Sequence, residues 1–274
     1  MGDTAATPAR APAPAFGDDE IARYSRHILL HEIGGPGQQR LGAAHVLVVG
    51  AGGLGAPVLM YLAAAGVGRI TVIDDDVVEP SNLQRQIIHG EDRIGMAKVD
   101  SAARTVAALN SHVAFQGLRR RLDTDSAPGL VAAADLVLDG TDNFDARYLV
   151  NRTCVRAGVP LIAAALTQWE GQLSLYDPAR GGPCYECIFP TRPARGLVPS
   201  CAEAGVAAPL PGIMGAMMAM EAIKHLTGAG ETLRGRLLVH DALHARSRTI
   251  RMEHRKGCPA CGPLHDGAPG ARDG

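Results

Sequence analysis

Short apolar runs and small-residue helical stretches alternate through the first 168 residues. Residues 45–49 (His-Val-Leu-Val-Val) are a Val-rich run of the kind a buried parallel strand uses. A small-residue helix is expected over 54–65, with Pro57 tolerable in its first turn. Residues 69–74 read as the next strand. Val99, Ala102, Ala103, Val106 and Leu109 recur at helical spacing within 98–109, and 113–118 fits a third strand. A strand at 135–139, a helix at 146–157 and a strand at 160–164 follow. Upstream, a helix-like stretch over 20–30 is expected to stop at Ile33-Gly-Gly-Pro-Gly37. Strands alternating with helices predict an α/β fold with a Rossmann-like, doubly wound, mostly parallel sheet.

The pattern changes after Trp169. Residues 172–176, 236–240 and 247–252 read as longer, less buried strands, with one helix near 213–226 between them. A mixed or antiparallel sheet continuous with the first half is expected there. The organisation this predicts is one domain over 18–262, with a nucleotide-binding half (18–168) and a second half (169–262). Residues 1–17, rich in Ala and Pro, and 263–274, rich in Gly and Pro, are expected to be disordered tails. Residues 193–199 are the best candidate for a mobile loop.

Composition narrows the function. Lys+Arg is 27 against Asp+Glu 28, a net charge of −1, so no basic excess exists to neutralise nucleic-acid phosphates. Aromatics are 4%, too few for a base-stacking platform. The longest apolar run, 204–220, contains Pro209, Pro211, Gly205, Gly212 and Gly215 and ends at Glu221. It reads as a helix buried in protein rather than a membrane span. No secretory signal is visible near the start, and the expected compartment is the cytoplasm.

Gly50-Ala-Gly-Gly-Leu-Gly55 sits between a strand and a helix, the context in which a glycine loop binds a nucleotide. Gly53 would be the point of close approach. Asp74 ends the next strand, where a carboxylate can take ribose hydroxyls. These features alone leave NAD and ATP both open. Ser81-Asn-Leu-Gln-Arg-Gln86 decides more, because Asn82, Gln84, Arg85 and Gln86 form a dense donor set. Lys98 follows at a helix start, and Arg23 and Arg26 lie in the early helix. A triphosphate carries about four negative charges that must be matched, and Arg and Lys supply the match. Asp142 could hold Mg²⁺ with phosphates and waters, and Asp76 is a second candidate. Asp142-Asn143 could otherwise cap the helix that follows. Arg85 or Lys98 taken singly could be a solvated charge.

There are six cysteines. Cys184-x-x-Cys187 and Cys258-x-x-Cys261 are two knuckles whose four thiolates suit tetrahedral zinc. Two disulfides or a redox Cys-x-x-Cys pair are the readings to weigh against it. Cys201 stands apart, just after the candidate mobile loop, and packing is one reading of it. Cys154 reads as core.

Arg23-Tyr-Ser-Arg26, Gly50–Gly55, Ser81–Gln86, Lys98, Asp139-Gly-Thr-Asp-Asn143 and Glu203-Ala-Gly-Val206 occur in this order and at these spacings. Together they resemble the MoeB/ThiF/HesA group of sulfur-carrier adenylyltransferases, related to ubiquitin-activating enzymes, over about 20–262. Within the group the chain looks most like the molybdopterin-synthase branch, with the thiamine-pathway branch next. The resemblance implies that the terminal carboxylate of a ubiquitin-like sulfur carrier ending in Gly-Gly attacks the α-phosphate of ATP. Carrier acyl-adenylate and pyrophosphate result. It implies that Gly53, Asp74, Ser81, Asn82, Leu83, Gln84, Arg85, Lys98, Asp142 and Asn143 bind Mg-ATP. Asp74 would hold ribose, Arg85 and Lys98 the phosphates, and Asp142 the metal. It further implies a structural zinc on Cys184, Cys187, Cys258 and Cys261, and a homodimer in which Arg26 reaches the neighbour's site. At Cys201 it implies a covalent link to the carrier in some relatives. A separate sulfur donor protein is expected, since the sequence runs only a little beyond Cys261. An inactive carrier-binding scaffold is the reading from a different class.

Overall fold

The fold is a computed structural model that describes residues 16–193 and 204–265. Cys201 and most of the candidate mobile loop lie outside the described residues. Eight strands form one sheet in the order β3-β2-β1-β4-β5-β6-β7-β8. The strands β1 (His45–Val49), β2 (Arg69–Ile73), β3 (Ala114–Leu118), β4 (Leu136–Asp139) and β5 (Leu161–Thr167) run parallel. The strands β6 (Glu170–Tyr176), β7 (Arg236–Asp241) and β8 (Arg246–Arg251) extend it antiparallel. One continuous sheet therefore runs through both halves of the chain.

The central strands β1 and β4 are apolar apart from His45 and Asp139 at their ends, because both of their faces are covered. Val46, Val48, Leu136 and Leu138 point into one core, while Leu47, Val49 and Val137 point into the other. The first core packs under α2 (Gly34–Ala43), α3 (Gly55–Ala64), α4 (Lys98–Leu109) and a long helix at Pro209–Thr227. The second lies under α5 (Ala127–Ala132) and α6 (Phe144–Ala157). Helix α1 (Asp18–Ile28) packs on α2. Numbering the helices onward, α7 is Tyr185–Ile188, α8 is Pro209–Thr227 and α9 is Gly262–His265.

Two sequence expectations shift. Ile33-Gly-Gly-Pro-Gly37 does not simply stop a helix; it opens the next one, α2. Pro36 lies within the first turn of α2, where its missing N–H costs nothing. Helix α8, expected near 213–226, begins already at Pro209, and its prolines are tolerated in the first turn for the same reason. It crosses α3 closely at Gly215, where a Cβ would collide with the Pro57 ring and lie 2.5 Å from the Leu54 carbonyl oxygen. Met214 and Met218 are fully buried in this packing and Met220 is exposed. Trp169, at the tip of the β5–β6 hairpin, is half exposed. No helix among the described residues is long and apolar enough to cross a membrane.

Candidate active site

The sheet order reverses between β1 and β4. From β1 the chain builds outward to β2 and β3, then crosses back to β4 on the other side. The two strand ends diverge there, leaving a crevice at their carboxyl ends. Gly50 and Gly140 line it. They approach so closely that a Cβ on Gly50 would sit 3.3 Å from the Gly140 carbonyl oxygen, and Gly50 holds a φ of +96°. At Gly55 a Cβ would collide with the Gly50 carbonyl oxygen. Gly50 and Gly55 are thus required by close backbone approach, which brings the start of α3 directly onto β1.

The crevice opens into a cavity of about 1040 Å³. Gly52, Gly53, Asp74, Arg85, Lys98, Asp142 and Asn143 all line it. These residues come from five separate chain segments, and the fold brings them to one place. Asp74 Oδ2 accepts the Ala51 N–H at 2.7 Å and Oδ1 the Asp76 N–H at 2.8 Å. Each oxygen keeps a lone pair for a hydroxyl. Burial raises the Asp74 pKa despite these bonds. Lys98 is 5% exposed and its ammonium pairs with Asp76 at 2.8 Å. Asp76, the second metal candidate, is therefore engaged by a cation. Arg85 Nη1 donates to the Ser81 carbonyl at 2.9 Å.

The hexapeptide divides into parts. Ser81, Asn82, Leu83 and Gln84 are not among the cavity-lining residues. Asn82 is buried and its Oδ1 accepts the Glu79 N–H at 3.2 Å, which closes a 3-10 turn over Pro80–Asn82. That turn presents Arg85 and Gln86, both of which line the cavity. Asn143 Oδ1 accepts the Ala146 N–H at 2.9 Å, so Asn143 caps α6. Asp142 beside it is exposed and faces the cavity.

Arg23 and Arg26 lie elsewhere. Arg23 Nη1 donates to the Leu109 carbonyl at the last residue of α4. Helix α4 starts at the cavity with Lys98, so this contact is at the far end of that helix. Arg26 is exposed on α1 and is not among the residues lining this chain's own cavity.

Some cavity residues carried no recognised signal in the sequence. Arg120 and Arg121 follow β3, at a strand carboxyl end like the other site residues, and the Arg run at 119–121 could have marked them. Arg147 donates to the Thr141 carbonyl at 2.9 Å and lies over the Phe144 ring. Tyr148, Tyr176, Tyr185 and Phe189 form an aromatic wall, with Tyr185 4.8 to 5.8 Å from the other three rings. Only the tertiary fold brings these rings together.

Tyr185 sits inside the first cysteine knuckle. All four sulfurs of Cys184, Cys187, Cys258 and Cys261 are buried and within 4.8 Å of one another. Cys184 Sγ lies 3.9 Å from Cys187 Sγ and 3.6 Å from Cys258 Sγ, and Cys187 Sγ lies 3.4 Å from Cys261 Sγ. A zinc tetrahedron with ordinary Zn–S bonds has edges of about 3.8 Å, whereas a disulfide is about 2.05 Å. The four cysteines therefore fit zinc, and they are free thiols rather than two disulfides. Burial pushes the Cys184 thiol up to about 12, so its thiolate needs a cation beside it. The knuckle docks on α6: Asn151 Oδ1 accepts the Tyr185 N–H, and Arg152 makes a two-pronged pair with Glu186 at 2.9 Å. Cys154 is buried in the second core.

A doubly wound sheet, a phosphate-type glycine loop with converging cations, and a four-cysteine staple define a nucleotide-using α/β enzyme. The ThiF family pattern matches residues 24–260, and the chain belongs to this family. It is 45% identical over 248 residues to the sulfur carrier protein adenylyltransferase of Thermus thermophilus, covering 89% of this chain and 92% of that one. It is 48% identical over 256 residues to mouse adenylyltransferase and sulfurtransferase MOCS3, covering 93% of this chain but 55% of MOCS3. The chain thus spans about half the length of that relative. Among solved structures, E. coli MccB with ATP superposes with a TM-score of 0.73 at 26% identity, covering 83% of this chain and 69% of that one. The enzyme class is that of an adenylyltransferase.

Proposed function

We propose that the chain adenylates the C-terminal glycine carboxylate of a ubiquitin-like sulfur-carrier protein ending in Gly-Gly. A carboxylate oxygen attacks the α-phosphorus of ATP, the bond to the bridging oxygen breaks, and pyrophosphate leaves with that electron pair. The observation that carries this reading is the convergence of Arg85 and Lys98 on the cavity that holds the glycine loop. Two cations on one phosphate site suit a triphosphate, and their presence speaks against an inactive scaffold. Attack of one anion on another needs positioning and charge neutralisation more than an acid or base.

The geometry supports this division of parts. Gly53 lets the backbone approach the nucleotide, and Asp74 takes ribose hydroxyls. Arg85 and Lys98 take the phosphates; Lys98 would exchange Asp76 for them. Asp142 is the ligand for Mg²⁺. Asn143 holds Asp142 in place by capping α6, and Ser81–Gln84 form the turn that presents Arg85. Zinc on the four cysteines is structural. The carrier is the small molybdopterin-synthase subunit, a reading supported by the MOCS3 likeness; the same chemistry would serve a thiamine-pathway carrier. A homodimer with Arg26 donated across the interface, a separate sulfur donor, and a covalent carrier adduct on Cys201 complete the proposal.

The test is exchange of labelled pyrophosphate into ATP. It should depend on carrier, and Arg85→Ala or Lys98→Ala should slow it by about 10²–10³-fold. Absence of exchange with every Gly-Gly carrier from the same organism would sink the reading. Normal exchange in both variants would show that the phosphates lie elsewhere. Comparing carriers in the same assay identifies the substrate, and intact-mass measurement of the mixture reports any adduct on Cys201.

A further inference from the structure

His89 is a buried imidazole, 7% exposed, with no part in the chemistry above. Its Nε2 lies 3.0 Å from the Ala51 carbonyl oxygen and its Nδ1 2.9 Å from Ser101 Oγ. A carbonyl oxygen only accepts, so Nε2 carries the proton and donates. Nδ1 then accepts from the serine hydroxyl. Burial, reinforced by the Lys98 and Arg93 cations, pushes the imidazole down to about 4, so it is neutral at physiological pH.

The other side of Ala51 is held as well, because its N–H donates to Asp74 Oδ2 at 2.7 Å. The second residue of the glycine loop is therefore gripped through both of its peptide groups. A trans peptide is planar, with its C=O and N–H pointing in opposite directions. Turning the Ala51 carbonyl toward His89 turns the Gly52 N–H away from it. Gly52 and Gly53 line the cavity and His89 does not.

We propose that His89 is a positioning residue for the nucleotide: it fixes the Ala51–Gly52 peptide so that the Gly52 N–H is presented to the phosphates. Ser101 lies three residues beyond Lys98 on α4, so the same imidazole also ties the glycine loop to the helix that carries the lysine. Loop and cation are held in one register before ATP arrives. The role assigned to the nucleotide rests on the adenylation reading, whereas the grip on the loop does not.

The experiment uses the full chain with His89→Leu, His89→Gln and Ser101→Ala. Three quantities are read: affinity for ATP and for adenosine by calorimetry, hydrogen exchange of the amides at 50–53 without nucleotide, and melting temperature. His89→Leu should weaken ATP binding about tenfold, the worth of one lost hydrogen bond at the upper end of its range. Adenosine binding should change by less than about twofold, because it lacks the phosphates that the loop amides address. Exchange at 50–53 should accelerate. His89→Gln, whose amide can donate to the Ala51 carbonyl, should recover most of the loss, and Ser101→Ala should show a smaller loss of the same kind. A folded His89→Leu protein with unchanged loop exchange and ATP affinity overturns the proposal. So does equal weakening of ATP and adenosine, which is the signature of general damage. If His89→Leu does not fold, Ser101→Ala decides, and unchanged exchange and ATP affinity in that variant overturn the proposal. Failure of the wild-type chain to bind ATP would count against the adenylation reading, while the exchange data would still report on the grip.

Discussion

Asp142 and Asn143 are adjacent and do different work. The Asn143 side chain is turned back to the Ala146 N–H, so it is spent on starting α6. Asp142 has no such bond among those described and stands exposed at the cavity. Asn143→Ala should therefore lower stability by about 1 kcal/mol, the usual worth of a cap. Its effect on pyrophosphate exchange should be modest. Asp142→Asn should leave the melting temperature nearly unchanged and abolish most exchange, with partial recovery at raised Mg²⁺. Loss of stability without loss of exchange in Asp142→Asn would reverse the assignment. From the sequence this dipeptide could be read as a cap or as a metal ligand; the cap reading holds for Asn143, and the metal reading of Asp142 belongs to the proposed function. The periodic pattern could not divide them, because direction at a helix start depends on which side chain the first turn captures.

At the scale of elements, strands were the easiest to read, since β1 and β4 are buried on both faces and apolar at every position except His45 at the start of β1 and Asp139 at the end of β4. Helix α2 was the hardest. Its first residues are Gly34, Gly35, Pro36 and Gly37, which are poor helix formers, and it is held by tertiary packing against α1 and α8. Packing overrides propensity there. The cysteine spacing was legible, but its connection to the active site was not. Tyr185 and Phe189, at the first knuckle, contribute to the aromatic wall of the cavity, and Tyr148 on α6 donates to the Phe189 carbonyl at 2.6 Å. The four-cysteine cluster thus shapes the site, although its second knuckle lies 74 residues beyond the first in sequence. Removing zinc with a chelator should reduce stability by roughly 3 kcal/mol or more, because metal binding and folding are coupled. Exchange activity should fall with it as the wall loosens. Unchanged melting after zinc loss is verified by elemental analysis would show that the cluster is not a structural metal site.

For the whole molecule, alternation of strands and helices announced the doubly wound class, and the order of strands then placed the site. No residue pattern states that β4 lands beside β1, yet that landing creates the crevice between Gly50 and Gly140. The position of Arg26 also becomes intelligible only at this scale. Helix α1 carries it on the outside, exposed, while its neighbour Arg23 is fastened to the far end of α4. Ile21, Leu29 and Leu30 are exposed at the same helix and its end, an apolar surface suited to a second copy. If Arg26 serves a neighbour's cavity, two inactive proteins should rescue each other. Mixed under conditions that allow subunits to exchange, Arg26→Ala and Lys98→Ala chains form heterodimers with one cavity carrying both defects and one carrying neither. Each parent alone should show about 1% of wild-type exchange or less. The equilibrated mixture should approach a quarter of wild-type activity, because half of the dimers are mixed and each has one intact site of two. A mixture no more active than its parents, with heterodimers demonstrated by native mass measurement, would place Arg26 outside any shared site.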